Sequence, residues 1–369
     1  SFWALLQAIA HKDSARGWLF AALASVVNLG LSVLHPLLVY LIVLTYGLYW
    51  LFLALRARRI LWREGFLLVA ALILPGLLNL YYGYSLLTNE VLRGWDAQRE
   101  STLSPPWPHL LLAFGPLLLL AGAHAYGQWR RGVKMSARWL FLWTWVLAAA
   151  LLVYAPLNSQ RRFVQGVHVP LSILAAAGLV EVVLPGMLAT RPFRALLAHE
   201  RYSEKGLTRF LLALFLLVIS LSNLYVFASV STSAVIQQPD LLFRPEDEAT
   251  AVRWLRENGE RTAVVLGDYE SGNYVAGQAG NPVVLGHWAE TIDFAGKTAV
   301  VEQFYAAATS DAWRRDFLAG AQVQYVWYGP REQALGGFDP ETAVYLHPVF
   351  HQGTITLYKV DNSPPTIDN

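Results

Sequence analysis

Two adjacent arginines, Arg161 and Arg162, are the side chains of this sequence best suited to hold a phosphate. A guanidinium presents its N–H donors in a rigid fork that matches phosphate oxygens two at a time. The pair stands in NSQRRFVQGVHVP (158–170), with His168 a few residues on, where a long apolar run begins. The other use of such residues is interfacial, the arginines anchoring a span against lipid headgroups and the histidine holding a satisfied hydrogen bond. Asp96 and Glu90, in TNEVLRGWDAQRESTLSPPWP (88–108), are the carboxylates placed to act as a general base on a hydroxyl, although polar loops often carry acids with no such task. Glu181 lies inside an apolar run, LVEVVLPG, where a charge is costly; it faces a cavity or partner, or packs protonated between helices. Asp268-Tyr269-Glu270 and His287-Trp288-Ala289-Glu290 each follow a strand-like run, where α/β domains place their sites. Aromatic rings against sugar C–H faces and acids accepting hydroxyls would suit an acceptor; a strand end plugged by aromatics over the membrane is the plainer use.

Other chemistries are poorly served. With no cysteine, disulfides, thiolate metal sites and iron–sulfur clusters are out of reach. There is no Walker A sequence, no GxGxxG, no CxxCH and no His pair at metal-ligand spacing. Lone membrane histidines such as His124 are a weak signal for a haem or pigment. No cofactor is identified, a divalent cation being an added requirement only if the chain is catalytic, and nothing points to nucleic acid.

The elements that must position these residues divide at a change in charge. Residues 1–233 hold 19 Lys/Arg against 8 Asp/Glu, whereas 234–369 hold 9 against 18, so the overall +2 conceals two opposite halves. The first half carries seven apolar runs, at 18–34, 37–55, 65–87, 109–127, 139–157, 169–189 and 210–231. Each is near the roughly 20 residues a bilayer core requires. The loops alternate in charge, and 15 of the positive residues fall on one side, from Lys12 and Arg16 to Lys205 and Arg209. The positive-inside rule then puts the N-terminus in the cytoplasm and the acidic half outside. The opening SFWALLQAIAHKDSARG is too short an apolar run for a cleavable signal peptide. From Pro245 the pattern alternates helix and strand: a capped helix in PEDEATAVRWLRENG, strands in RTAVVLG, NPVVLG and VQYVWYG, helices in KTAVVEQFYAAA and SDAWRRDFLAG, and a hairpin around His351-Gln352-Gly353. The expected architecture is a polytopic α-helical membrane protein of about seven spans (1–233), a small extracytoplasmic α/β domain (234–360) and a disordered tail (361–369).

This order of features resembles the second half of bacterial GT-C class glycosyltransferases, which use polyprenyl-phosphate-linked sugars. The residues carrying the resemblance are Leu34-His35-Pro36 between two spans, NSQRRFVQGVHVPLSILAAAGL (158–179), the Trp254–Asn258 helix followed by TAVVLG, and GHWAETIDFAGK (286–297) with YGPREQALGG (328–337). The resemblance implies a sugar transferred from a polyprenyl phosphate at the outer face of a bacterial inner (plasma) membrane, with Arg161, Arg162 and His168 at the lipid phosphate. It also implies a catalytic acid in a first outside loop. The one loop before the second span here, His35-Pro36, has no carboxylate, so that acid lies upstream of Ser1 or has been lost. The alternative is a non-catalytic subunit of a larger membrane complex, such as a respiratory or photosynthetic assembly. An enzyme requires a cavity open to the bilayer near Arg161. A subunit requires an apolar surface that membrane lipids and other membrane subunits cover, with no continuous cavity. A transporter is a weaker third reading, since neither an inverted repeat nor a pair of broken spans is evident.

Overall fold

The structure, a computed structural model, describes residues 1–98, 103–156, 160–199, 201–240 and 242–361. Residues 362–369 of the expected tail, together with Glu100, Asn158 and Ser159 of the expected outside loops, lie outside the described residues. The chain divides into two units, one comprising residues 1–88 and 100–223 and the other 89–99 and 224–369.

The chain opens with helices α1 (Phe2–Ala10), α2 (Ala15–Leu34), α3 (Leu38–Ala57), α4 (Trp62–Thr88) and α5 (Glu90–Gln98). Then come α6 (Trp107–Arg130), α7 (Ala137–Leu152), a 3₁₀ turn at Gln160–Val164 and α8 (His168–Gly178). A π-turn, Leu179–Val183, leads to α9 (Leu184–Leu188), α10 (Arg191–Leu197) and α11 (Glu204–Gln237). Six helical segments among the described residues are long and apolar enough to cross a membrane: α2, α3, α4, α6, the run through α8 and α9, and α11. They are compatible with a multi-pass membrane protein. The expected fifth run, 139–157, is instead the 16-residue α7. It ends at Leu152, ahead of Pro156, whose ring disfavours helical backbone in the residue before it.

Packing in the first unit uses small residues and side-chain hydrogen bonds, as expected where apolar surface alone does not favour helix over lipid. On α2, Ala21, Ala24, Ser25, Asn28 and Ser32 are buried. The Asn28 amide donates to the Ala71 carbonyl (3.0 Å), and Asn79 donates to Ser32 Oγ (2.5 Å) and to the Pro75 carbonyl (2.9 Å). Helices α6 and α8 cross so closely that a Cβ on Gly178 would lie 1.8 Å from the Leu120 carbonyl oxygen.

The second unit holds a four-stranded sheet in the order β1-β2-β4-β3, from β1 (Val264–Leu266), β2 (Val323–Tyr328), β3 (Leu346–Gln352) and β4 (Ile355–Val360). β1 and β2 are parallel; β2, β4 and β3 are antiparallel. The sheet packs with α12 (Glu246–Asn258), α13 (Tyr269–Gln278), α14 (Phe294–Tyr305), α15 (Asp311–Gly320) and α16 (Pro330–Gly336). Trp327, Leu266, Val326, Phe304 and Tyr305 are buried at its centre. The expected strand NPVVLG is only a bridge, Val265 with Val283: Val265 N donates to the Pro282 carbonyl (2.9 Å) and Val284 N to the Val265 carbonyl (3.1 Å). Asp247 on α12 pins the hairpin turn by accepting from Thr354 N (3.0 Å) and Thr354 Oγ (2.6 Å), next to Gly353 in its left-handed conformation.

Candidate functional site

The 3₁₀ turn Gln160–Val164 positions the arginine pair. Phe163 is fully buried and anchors the turn, while Arg161 and Arg162, just before it, are exposed. Among the described residues neither guanidinium has an ion-pair or hydrogen-bond partner. Val164 of the same turn helps line an apolar groove of about 230 Å³ with Trp107, Leu111, Phe114, Val146 and Leu171. That is below the roughly 300–1,000 Å³ of small-molecule pockets, and its lining is almost wholly apolar. His168, exposed at the start of α8, lies with its ring 4.9 Å from the groove-lining ring of Phe114. One turn of chain therefore joins a wall of the apolar groove, Val164, to two exposed cations that are unpaired among the described residues.

Glu181 falls in the π-turn, a feature often found at functional positions. One carboxylate oxygen lies 3.5 Å from Nδ1 of His124, which is buried on α6. The approach is an ion-pair distance and not a directed hydrogen bond; neither ring nitrogen of His124 makes one among the described residues. The Trp139 ring covers His124 at 4.5 Å, and Arg131 donates to the Glu181 carbonyl (2.8 Å).

In the second unit the two acidic–aromatic segments part company. Asp268 caps α13 by accepting from Ser271 N (2.7 Å), Tyr269 packs edge-on against Phe294 (5.6 Å), and Glu270 is bound by Arg244 (3.0 Å). That trio is taken up by the fold. Arg244 also holds Glu248 (3.2 Å), and Arg331 holds Asp240 (2.6 Å), so the segment after α11 is clamped by ion pairs. His287 and Glu290, by contrast, line an open groove of about 560 Å³ with Asn273, Thr291 and Lys297. Their loop receives α5, where Trp95 Nε1 donates to the Ala289 carbonyl (2.8 Å). The structure thereby brings the expected Asp96 segment together with the His287–Glu290 segment. Glu90 pairs with Arg93 (3.7 Å), whereas Asp96 is half-buried and unpaired among the described residues.

One acidic residue escaped the sequence reading. Glu332, buried on α16, accepts from Asp268 N (2.9 Å) and Gly329 N (3.1 Å) at the ends of the two parallel strands. Burial, followed by the neighbouring Asp268 charge, pushes its carboxyl up to about 7. The signal was present: Pro330 at the first helical position and Glu332 two residues on form the pattern of a capped helix start. Among the described residues no three His, Asp or Glu side chains converge as a metal-ligand set, so the divalent cation a catalytic reading would call for has no such set here.

The chain matches no protein-family profile and no curated protein. Among solved structures, it is similar to the C-terminal globular domain of an oligosaccharyltransferase from Archaeoglobus fulgidus, at 17% identity and a TM-score of 0.25, over 32% of this chain and 99% of that one. At that identity and score the similarity says nothing of what this chain binds.

Proposed function

We propose that the chain is part of a GT-C-like membrane glycosyltransferase, holding a polyprenyl-phosphate-linked sugar at the outer face of a plasma membrane. The observation that carries this reading is the apolar groove whose wall residue Val164 shares a turn with Arg161 and Arg162. An amphiphile with a hydrocarbon chain and an anionic head is the chemistry such a turn complements. In sugar transfer the acceptor hydroxyl loses its proton to a carboxylate and its oxygen bonds to the anomeric carbon. The lipid phosphate leaves with the electrons of the broken C–O bond, and guanidinium groups stabilise the charge it gains. With α7 counted as a span, the 15 positive residues fall on one side of the spans, which supports an outside location for the second unit.

The test is native mass spectrometry of the chain in lipid nanodiscs with undecaprenyl phosphate. The Arg161→Ala/Arg162→Ala variant is expected to retain the lipid at least about tenfold less well, from the loss of charge-assisted phosphate contacts. Equal retention by parent and variant would overturn the assignment.

A further inference from the structure

We propose that the open groove between α13 and the 283–297 segment is a binding site for a neutral carbohydrate. It measures about 560 Å³, within the roughly 300–1,000 Å³ of small-molecule sites. Three of its polar side chains keep hydrogen-bonding capacity unused within the described protein. The Asn273 amide makes no hydrogen bond, Lys297 is half-buried without an ion-pair partner, and His287 uses only Nδ1, which accepts from Ala289 N (3.3 Å). That acceptor role leaves the hydrogen of a neutral imidazole on Nε2 as a donor. Donors of this kind on a groove wall, an ammonium among them, are what a ligand rich in hydroxyl oxygens satisfies.

The charge of the lining selects against ionic ligands. It contains one cation, Lys297, and one anion, Glu290. A phosphate or acidic peptide would meet the carboxylate, and a cationic peptide would meet the ammonium. A polyol accepts from the ammonium and donates to the carboxylate. Apolar lining from Ala276, Val283 and Ile292 gives the C–H faces of a sugar ring a surface, and Trp288, 38% exposed, adds an aromatic face with its ring 6.0 Å from that of His287.

The groove is also preorganised. Gly272 brings α13 against the 283–286 segment, where a Cβ would lie 1.9 Å from the Leu285 carbonyl oxygen. The rim is tied by Glu290 N and Thr291 N to the His287 carbonyl (both 2.9 Å), by Gly286 N to Thr291 Oγ (3.2 Å), and by Trp95 to Ala289. A site rigid before binding loses less entropy when the ligand arrives.

This inference stands apart from the lipid-phosphate reading, and its test separates the two. The full chain in nanodiscs, free of sugar-based detergent, is titrated by calorimetry with disaccharides of glucose, mannose, galactose and N-acetylglucosamine, and with inorganic phosphate. At least one disaccharide is expected to bind, with Asn273→Ala and Lys297→Ala each weakening it about tenfold, the scale of one charge-assisted hydrogen bond. Gly277→Leu places a side chain where a Cβ meets nothing within 4 Å, so it blocks the groove without disturbing the fold, and binding is expected to vanish. The Arg161→Ala/Arg162→Ala variant is expected to bind sugar as the parent does. No binding across the panel, sugar binding indifferent to Gly277→Leu, or phosphate bound in place of sugar would each overturn the proposal.

Discussion

At the residue scale, Glu332 makes stability depend on pH in an unusual direction. Its carboxyl is raised to about 7 in the folded protein from an ordinary 4.5, so the native state binds the proton more tightly than the unfolded chain. The second unit is therefore expected to lose stability as pH rises from about 4.5 to about 7, and to show no further change from this group above that. The total is on the order of 3 kcal/mol by linkage. Glu332→Gln should flatten that slope, measured by amide hydrogen exchange at Val326 and Trp327 in the intact chain; an unchanged slope would assign the pH dependence elsewhere. Arg314 is a second sensitive point. Buried, it donates to the Phe304 (2.8 Å) and Ala306 (2.7 Å) carbonyls and to Asp311 (3.0 Å), with its guanidinium over the Phe338 ring at 3.8 Å. Arg314→Lys cannot reproduce that planar fork, and is expected to destabilise the unit by about 2–3 kcal/mol in denaturant unfolding. A loss below about 0.5 kcal/mol would show that the fork carries little of the stability.

At the scale of elements, two close approaches set what can be replaced. Gly178→Ala would force α6 and α8 apart at the Leu120 carbonyl, so a lowered unfolding temperature and a weakened lipid groove are expected together. Groove binding retained at full strength in that variant would detach the groove from the α6–α8 crossing. Much of the element order was legible in the residues. Acids in the first turn and a closing Gly259 mark α12, which runs Glu246–Asn258, and the terminal hairpin turns where His351-Gln352-Gly353 suggested. α5 was read as loop, because nine residues show little periodicity. Its marker was the N-cap, Asn89, whose Oδ1 accepts from Val91 N (3.0 Å) and Leu92 N (3.1 Å). The bridge at Val283 was read as a strand because a short β-branched run gives no sign of how many hydrogen bonds it will find.

At the scale of the whole molecule, the opposed charges of the two halves and the apolar runs were evident from composition, whereas the sites were legible only in part. Arg161 and Arg162 stand out as candidates in the sequence because guanidinium chemistry is local. The groove beside them does not, since Trp107, Val146 and Leu171 come together only by helix packing. The structural partners of Asp268 and Glu270 were likewise out of reach: the helix that Asp268 caps and the Arg244 that binds Glu270 are invisible in a local motif. The central claim, that the groove takes the chain of a lipid phosphate, is tested most directly by photocrosslinking with a diazirine-bearing polyprenyl phosphate in nanodiscs, followed by peptide mapping. Label is expected on groove residues such as Leu111, Phe114 and Val146, and is expected to fall when Ala150→Trp fills the groove or when Arg161 and Arg162 are both replaced by alanine. Label spread along the exposed apolar face of α11, and indifferent to those variants, would contradict it.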